Sequence, residues 1–112
     1  MAGRILPKIL EQEVTLGPGQ EWDFGPFYSR PGRTLRIITQ GVPIHYAGAF
    51  DAPVYQAFRA RGGRAPFVIG TGRAGGTRSV YQTDQGGPFY IVVRVSGWNI
   101  GRWPIRVTAE YG

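Results

Sequence analysis

The last quarter of the chain decides the fold class, because 89-FYIVVRVSG-97 and 105-IRVTAEY-111 both alternate between two faces. Successive side chains of a β-strand point to opposite faces of the sheet. One face of the first stretch carries four apolar residues, Phe89, Ile91, Val93 and Val95. The second stretch is likewise apolar at every second position. This pattern predicts two half-buried strands, joined by 96-SGWNIGRWP-104 into a C-terminal hairpin.

Shorter β-strand signals precede this region and are separated by turns rich in glycine and proline. They are 13-EVTL-16, 21-EWDFGPFY-28, 34-TLRIITQ-40 and 42-VPIHY-46. About seven to nine short strands at spacings of roughly 8–12 residues, without a long helix, are typical of antiparallel sandwiches. We therefore predict an all-β fold, a single jelly-roll-like antiparallel β-sandwich over residues 13–112, preceded by an N-terminal arm.

The segment 51-DAPVYQAFRARGG-63 fits two different local structures. Val54, Tyr55 and Phe58 have helical spacing, and Asp51 suits the start of a helix. Residues 53–61 are equally compatible with a strand. We predict a strand or irregular structure, with a helix of one to two turns as the alternative.

Residues 1–12 form the predicted arm. Its four large apolar residues, interrupted by Pro7 and Lys8, are Ile5, Leu6, Ile9 and Leu10. Such side chains near a terminus are buried either on their own domain or on a neighbouring subunit. The interruption argues against a signal peptide, and no run reaches the roughly 18 apolar residues of a membrane span. We expect a chain made in the cytoplasm, without a membrane span.

Three glycines in 67-FVIGTGRAGGTRSV-80, at positions 70, 72 and 75, have the G-x-G-x-x-G spacing of a dinucleotide-binding turn. That turn requires a following helix and an acidic residue about 20 positions later. No helical pattern begins after Gly75, and residues 93–95 are Val-Arg-Val. The spacing is therefore interpreted as a consequence of glycine richness.

The region from position 59 to position 78 is basic and contains no acidic residue. Its five arginines are Arg59, Arg61, Arg64, Arg73 and Arg78. Three interpretations are open: a solvated loop, a docking surface for an acidic partner protein, or contact with nucleic acid helped by 61-RGG-63. The formal net charge of +6, with 12 arginines among the 13 basic residues, favours acidic partners.

Residue types suited to catalysis or metal binding are scarce. The chain has no cysteine and one histidine, His45, which we interpret as a packed or surface residue. Transition metals prefer histidine and cysteine ligands. The seven acidic residues are scattered; Glu21 and Asp23 share a strand face, which solvent-facing alternation explains more simply than a carboxylate pair. We predict no catalytic residues, no metal and no cofactor, and therefore a protein that is not an enzyme.

Two tryptophans, Trp98 and Trp103, flank the last turn. Exposed aromatic rings of this kind stack on sugars in carbohydrate-binding sandwiches. The alternative interpretation is that one ring closes the end of the sandwich and the other covers the hairpin.

The order of these features resembles the small β-sandwich domains of the GOLD and bacterial pre-peptidase C-terminal type. The resemblance is carried by 14-VTLGPGQEWDFGPF-27, 33-RTLRIITQGVPIHY-46, 54-VYQAFR-59, 86-GGPFYIVVRVS-96 and 105-IRVTAEY-111. It covers most of residues 13–111 and rests on pattern. It implies a sandwich used for binding, with no catalytic residues to assign.

The expected function is that of a non-enzymatic structural or assembly module. Small sandwiches with terminal arms occur among accessory proteins of phage heads and tails, so we expect a virion-associated protein such as a capsid decoration or head–tail component. It would dock onto other protein subunits, in homo- or hetero-oligomers, through its arm and loops. The alternatives are a carbohydrate-binding module and a nucleic-acid-binding protein that uses the arginine- and glycine-rich loop.

Overall fold

The computed structural model describes residues 8–29, 32, 34–63, 77–82 and 87–111, with backbone alone for Lys8, Ser29 and residues 77–82. The elements are β1 (Lys8–Leu16), β2 (Glu21–Ser29), β3 (Thr34–Gln40), β4 (His45–Asp51), α1 (Ala52–Ala60), β5 (Thr77–Gln82), β6 (Gly87–Val95) and β7 (Trp103–Tyr111). The predicted glycine motif at positions 70–75 lies outside the described residues.

The strands form two antiparallel sheets that enclose one core, which confirms the predicted all-β sandwich. One sheet has the order β1-β7-β3-β5 and the other has the order β2-β6-β4. We predicted seven to nine strands. Among the described residues, three strands of each sheet have described side chains, and β5 extends one sheet through backbone pairing with β3.

The predicted C-terminal hairpin is wrong, because β6 and β7 belong to different sheets. β6 lies between β2 and β4, and β7 lies between β1 and β3. The loop that joins them therefore crosses from one sheet to the other. Their strong apolar alternation is explained by this central position, since each has neighbours on both sides and faces the core.

The core consists of the inward faces that the alternation predicts. Its fully or almost fully buried members from the two central strands are Phe89, Ile91, Val93, Val95, Ile105, Val107, Ala109 and Tyr111. The other four strands with described side chains complete the core with Leu10, Leu16, Phe24, Leu35, Ile37 and Ala47. Burying such a side chain contributes about 1.5–3 kcal/mol before the entropy of ordering is subtracted, so this layer is the main source of stability.

The boundary predicted between an arm and the sandwich at residue 12 is wrong, because β1 already begins at Lys8. Leu10 is buried in the core and Ile9 packs against it. Residues 8–12 pair with β7, with a register shift between Lys8 and Leu10. Ile9 and Leu10 are therefore part of the sandwich and are not available to a neighbouring subunit. Ile5 and Leu6 lie outside the described residues.

The segment predicted as strand or irregular structure is helical. α1 follows Asp51 with a proline in its first turn, where the missing N–H of proline costs no hydrogen bond. It ends in a Schellman motif: Gly63 N donates to Phe58 O at 2.8 Å, Gly62 N donates to Arg59 O at 2.9 Å, and Gly62 has φ +66°. The 61-RGG-63 sequence thus contains the stop signal of a helix.

The strand predicted at residues 42–46 starts later than expected. β4 begins at His45, and residues 41–44 form the loop that precedes it. Pro43 has no N–H to donate to a neighbouring strand, and the Ile44 N–H bonds to the Asn99 side chain at 3.3 Å.

Candidate functional site

Three connections meet at one end of the sandwich. They are the β1–β2 turn (17–20), the β3–β4 loop (41–44) and the β6–β7 loop (96–102). Gly19 N donates to Val95 O at 2.9 Å, and Arg102 Nη2 donates to Thr15 O at 3.0 Å. These bonds connect the turn to the end of β6 and connect β1 to the last loop. Ser96 N also donates to Ile44 O at 2.9 Å, so the three connections form one continuous surface.

Four large apolar side chains project from this surface, and we call them the apolar tip. They are Val42 (64% exposed), Ile44 (45%), Trp98 (92%) and Ile100 (88%). Large side chains of this kind are usually removed from water. A group of exposed apolar residues on two adjoining loops is therefore a candidate surface of interaction.

Asn99 holds the two loops of the apolar tip together. Its side-chain oxygen accepts from Ile44 N at 3.3 Å, and its side-chain nitrogen donates to Ile44 O at 3.0 Å and to Ser96 O at 3.2 Å. An asparagine amide has two donors and one acceptor oxygen, and both kinds of group are used here. The backbone beneath Ile44 and Trp98 is thus fixed by one side chain.

His45 supports the same loop from below. It is fully buried. Its Nδ1 lies 2.7 Å from Pro43 O, and its Nε2 lies 2.7 Å from Thr39 Oγ1. A carbonyl oxygen can only accept, so Nδ1 carries the hydrogen and, in the neutral ring, Nε2 accepts from the threonine hydroxyl. The prediction of a packed histidine is confirmed.

Trp103, the first residue of β7, holds the β6–β7 loop in place. Trp103 Nε1 donates to Ile100 O at 2.7 Å, across Gly101 with φ +81°. A positive φ is readily adopted by glycine alone. Trp103 is about one-third exposed, whereas Trp98 is almost wholly exposed. The interpretation that a tryptophan closes the end of the sandwich therefore does not fit Trp98.

The loops around the apolar tip carry almost no charge. Residues 15–20, 41–44 and 96–104 contain no acidic residue, and Arg102 is their single basic residue. Its guanidinium is exposed at the rim and contacts Gln20 Oε1 at 3.4 Å as well as the Thr15 carbonyl. The tip is therefore an apolar surface with one basic residue, Arg102, beside it.

A second cluster centres on Arg59, which was predicted as a loop residue and lies in α1. Arg59 Nη1 is 2.9 Å from Glu21 Oε2, and Arg59 Nη2 is 2.5 Å from Asp23 Oδ1. Arg94 Nη1 contacts Glu21 Oε1 at 3.0 Å. The interpretation of both acidic residues as merely solvent-facing is thus corrected, because they hold the helix against the outer face of the β2-β6-β4 sheet.

Tyr55 completes this attachment of α1. Its hydroxyl donates to Asp23 Oδ2 at 2.6 Å, and its ring stacks on Tyr90 with centroids 3.8 Å apart. Burial, followed by the hydrogen bond to Asp23, raises the pKa of Tyr55 above its ordinary value. Burial lowers the pKa of Arg59, but its hydrogen bonds to Asp23 and Glu21 outweigh this and raise it overall. The cluster links α1 to the sheet, since its arginines form ion pairs with its carboxylates.

The predicted basic loop is not assembled as one surface by the described residues. Arg59 is paired within the fold, and Arg61 is exposed in the turn after α1. Arg78 lies in β5, where the backbone alone is described, and Arg64 and Arg73 lie outside the described residues. Among the residues that the structure describes, no three acidic or histidine side chains group to hold a metal ion.

No protein-family model, curated protein or solved structure matches the chain. In the described part of the chain, no helix has the length and apolar character needed to cross a membrane. The resemblance to GOLD and pre-peptidase C-terminal domains stays a prediction.

The sequence singles out Trp98 but not the residues that surround it at the tip. It predicts Val42 and Ile44 in a strand, and it indicates no role for Asn99 and Ile100. The available signal was the pattern G-W-N-I-G at 97–101, which places two large apolar residues between glycines in a turn.

Proposed function

We propose that the chain is a non-enzymatic docking module that attaches to a partner through the apolar tip. The observation that carries this proposal is the nearly complete exposure of Trp98 and Ile100 on a loop fixed by side-chain hydrogen bonds. A rigid loop loses little conformational entropy on binding, so exposed apolar area is converted into affinity efficiently. Tryptophan is also the residue most typical of interface hot spots.

The pairing of the strands supports the assembly setting that the sequence predicts. β1 pairs with β7, β2 with β6, and β3 with β5. Each strand before β4 therefore pairs with the strand at the same distance after it in the chain order. We infer a jelly-roll-like arrangement, which occurs in viral capsid and lectin domains. A virion-associated accessory protein, such as a capsid decoration or head–tail component, remains the proposed setting, with another protein subunit as one partner for the tip.

Carbohydrate binding is a second candidate, which the flat exposed ring of Trp98 supports. Sugar recognition also needs hydrogen-bonding groups beside the ring. Around Trp98 the amide of Asn99 and the indole N–H of Trp103 are already engaged with backbone carbonyls. The tip therefore favours an apolar partner over a sugar.

Nucleic-acid binding receives less support than the sequence suggested. Arg59 is paired with two carboxylates, and the glycines of 61-RGG-63 form a helix end. The remaining arginines of the region are spread between a turn, a strand and residues outside the described ranges.

The proposed function is tested on an alkyl-agarose matrix, which serves as a partner-neutral apolar surface. We expect the double variant Trp98→Ser/Ile100→Ser to elute well before the wild-type chain. The matched control is Tyr28→Ser, because Tyr28 is also exposed (73%) but lies near the opposite end of β2. Equal shifts for the two variants would show that the tip is not the surface that docks.

A further inference from the structure

We propose that the partner of the apolar tip is an anionic lipid surface, into which Trp98, Ile100, Val42 and Ile44 insert. This inference rests on the proposed docking function and names its partner. Three observations carry it: the hydrogen bonds of the loop backbone, the side-chain types, and the distribution of charge.

Several backbone groups beneath the tip are already hydrogen-bonded within the protein. A peptide group that enters hydrocarbon without a partner costs several kcal/mol, so internal hydrogen bonds lower the cost of approaching lipid. The N–H and C=O of Ile44 and the carbonyl of Ser96 are bonded to the Asn99 side chain, and the carbonyl of Ile100 is bonded to the indole of Trp103. The carbonyl of Pro43 is likewise bonded to His45.

The exposed side chains are those that favour the boundary between water and lipid. Tryptophan is enriched at that boundary because its ring is apolar while its N–H remains polar. Trp98 is accompanied by three aliphatic side chains on the same end of the sandwich. The strength of such shallow insertion grows with the apolar area that enters the membrane.

Charge selects an anionic surface over a neutral one. The chain has a formal net charge of +6, and the loops that would approach the headgroups contain Arg102 and no acidic residue. Anionic headgroups attract basic residues that lie within a Debye length of the surface. A docked tip would thus bring Arg102 to the headgroups.

The experiment is co-sedimentation with vesicles, using the wild-type chain and two compositions. One is phosphatidylcholine alone, and the other is phosphatidylcholine with an equal amount of phosphatidylglycerol. We expect stronger binding to the anionic vesicles, and weaker binding as salt rises from about 0.1 M to about 1 M. Trp98→Ser should lower the partition by about tenfold or more, whereas Trp98→Phe and the control Tyr28→Ser should retain most of it.

The outcomes separate this proposal from the docking function on which it rests. Binding that Trp98→Ser does not weaken would overturn the proposal, because charge alone would then explain it. Absence of binding to either vesicle, with tip-dependent retention on the alkyl matrix intact, would also overturn it and assign the tip to a protein partner. Loss of both vesicle binding and matrix retention would remove the docking function as well.

Discussion

At the scale of single residues, Asn99 shows how a loop that carries exposed apolar side chains is held in one conformation. Trp98 and Ile100 are almost wholly exposed and bury little apolar surface in the fold. The polar residue between them holds their loop in place. The Asn99 amide binds Ile44 in the neighbouring loop through both of its polar atoms. It acts as a positioning residue for the tip, because it fixes the backbone that carries the exposed side chains.

Replacing Asn99 with alanine should loosen the tip without removing any apolar side chain. We expect the Ile44 amide hydrogen to exchange with solvent faster, because its acceptor is lost. Retention on the alkyl matrix should fall as well. Amide exchange measured by NMR checks the prediction, and an unchanged Ile44 exchange rate would contradict it.

Arg59 shows how one side chain fixes a helix to a sheet. Replacing it with alanine removes the α1 partner of Glu21 and leaves Asp23 with Tyr55 as its α1 partner. Hydrogen bonds to charged groups contribute about 1.5–3 kcal/mol, so we expect a loss of that order in the free energy of unfolding. Urea denaturation provides the measurement, with the exposed Arg61→Ala as the control. If both variants lost the same small amount, the cluster would be a surface feature without structural weight.

Tyr55 gives the same cluster a pH dependence. Its pKa is raised by burial and by the hydrogen bond to Asp23, so the folded state favours the neutral phenol. The resulting stability is fully present below the ordinary pKa of about 10 and is lost as pH rises through the folded pKa. We expect wild type to lose more stability than Tyr55→Phe above about pH 10. Parallel denaturation curves at alkaline pH measure this, and identical losses would refute it.

At the scale of elements, the sequence predicts best where one strand face meets the core. The alternation in β6 and β7 identified both strands and their buried residues, because burial on one face leaves a period of two. It could not show that these strands belong to different sheets, since alternation contains no information about pairing. The sequence predicts α1 only as the alternative to a strand, because the helix is short and its main anchors, Glu21 and Asp23, lie far away in the chain.

The boundary of β1 leads to a prediction about truncation. Deleting residues 1–12 removes Leu10 from the core and removes pairs with β7 between Lys8 and Gln12. A Leu→Ala change in a core typically costs about 2–5 kcal/mol, so the deletion should cost at least that much. Deleting residues 1–7 leaves β1 complete and is the control. Thermal unfolding distinguishes the two, and equal stability would restore the idea of a detachable arm through residue 12.

At the scale of the whole molecule, the nested strands explain why the candidate site was hard to predict. The tip combines a loop at 41–44 with a loop at 96–102, and folding alone brings these segments together. Neither segment has a recognisable motif. Trp98 could be singled out as a large aromatic residue in a turn, but its aliphatic neighbours became a group only in three dimensions.

We propose that the apolar tip serves docking and does not stabilise the fold. The free energy of unfolding of Trp98→Ser/Ile100→Ser, determined by urea denaturation beside wild type, tests this proposal. Since both side chains are almost wholly exposed, we expect a change of no more than about 0.5 kcal/mol. A loss of about 2 kcal/mol or more would contradict it, because these residues would then be packed parts of the sandwich.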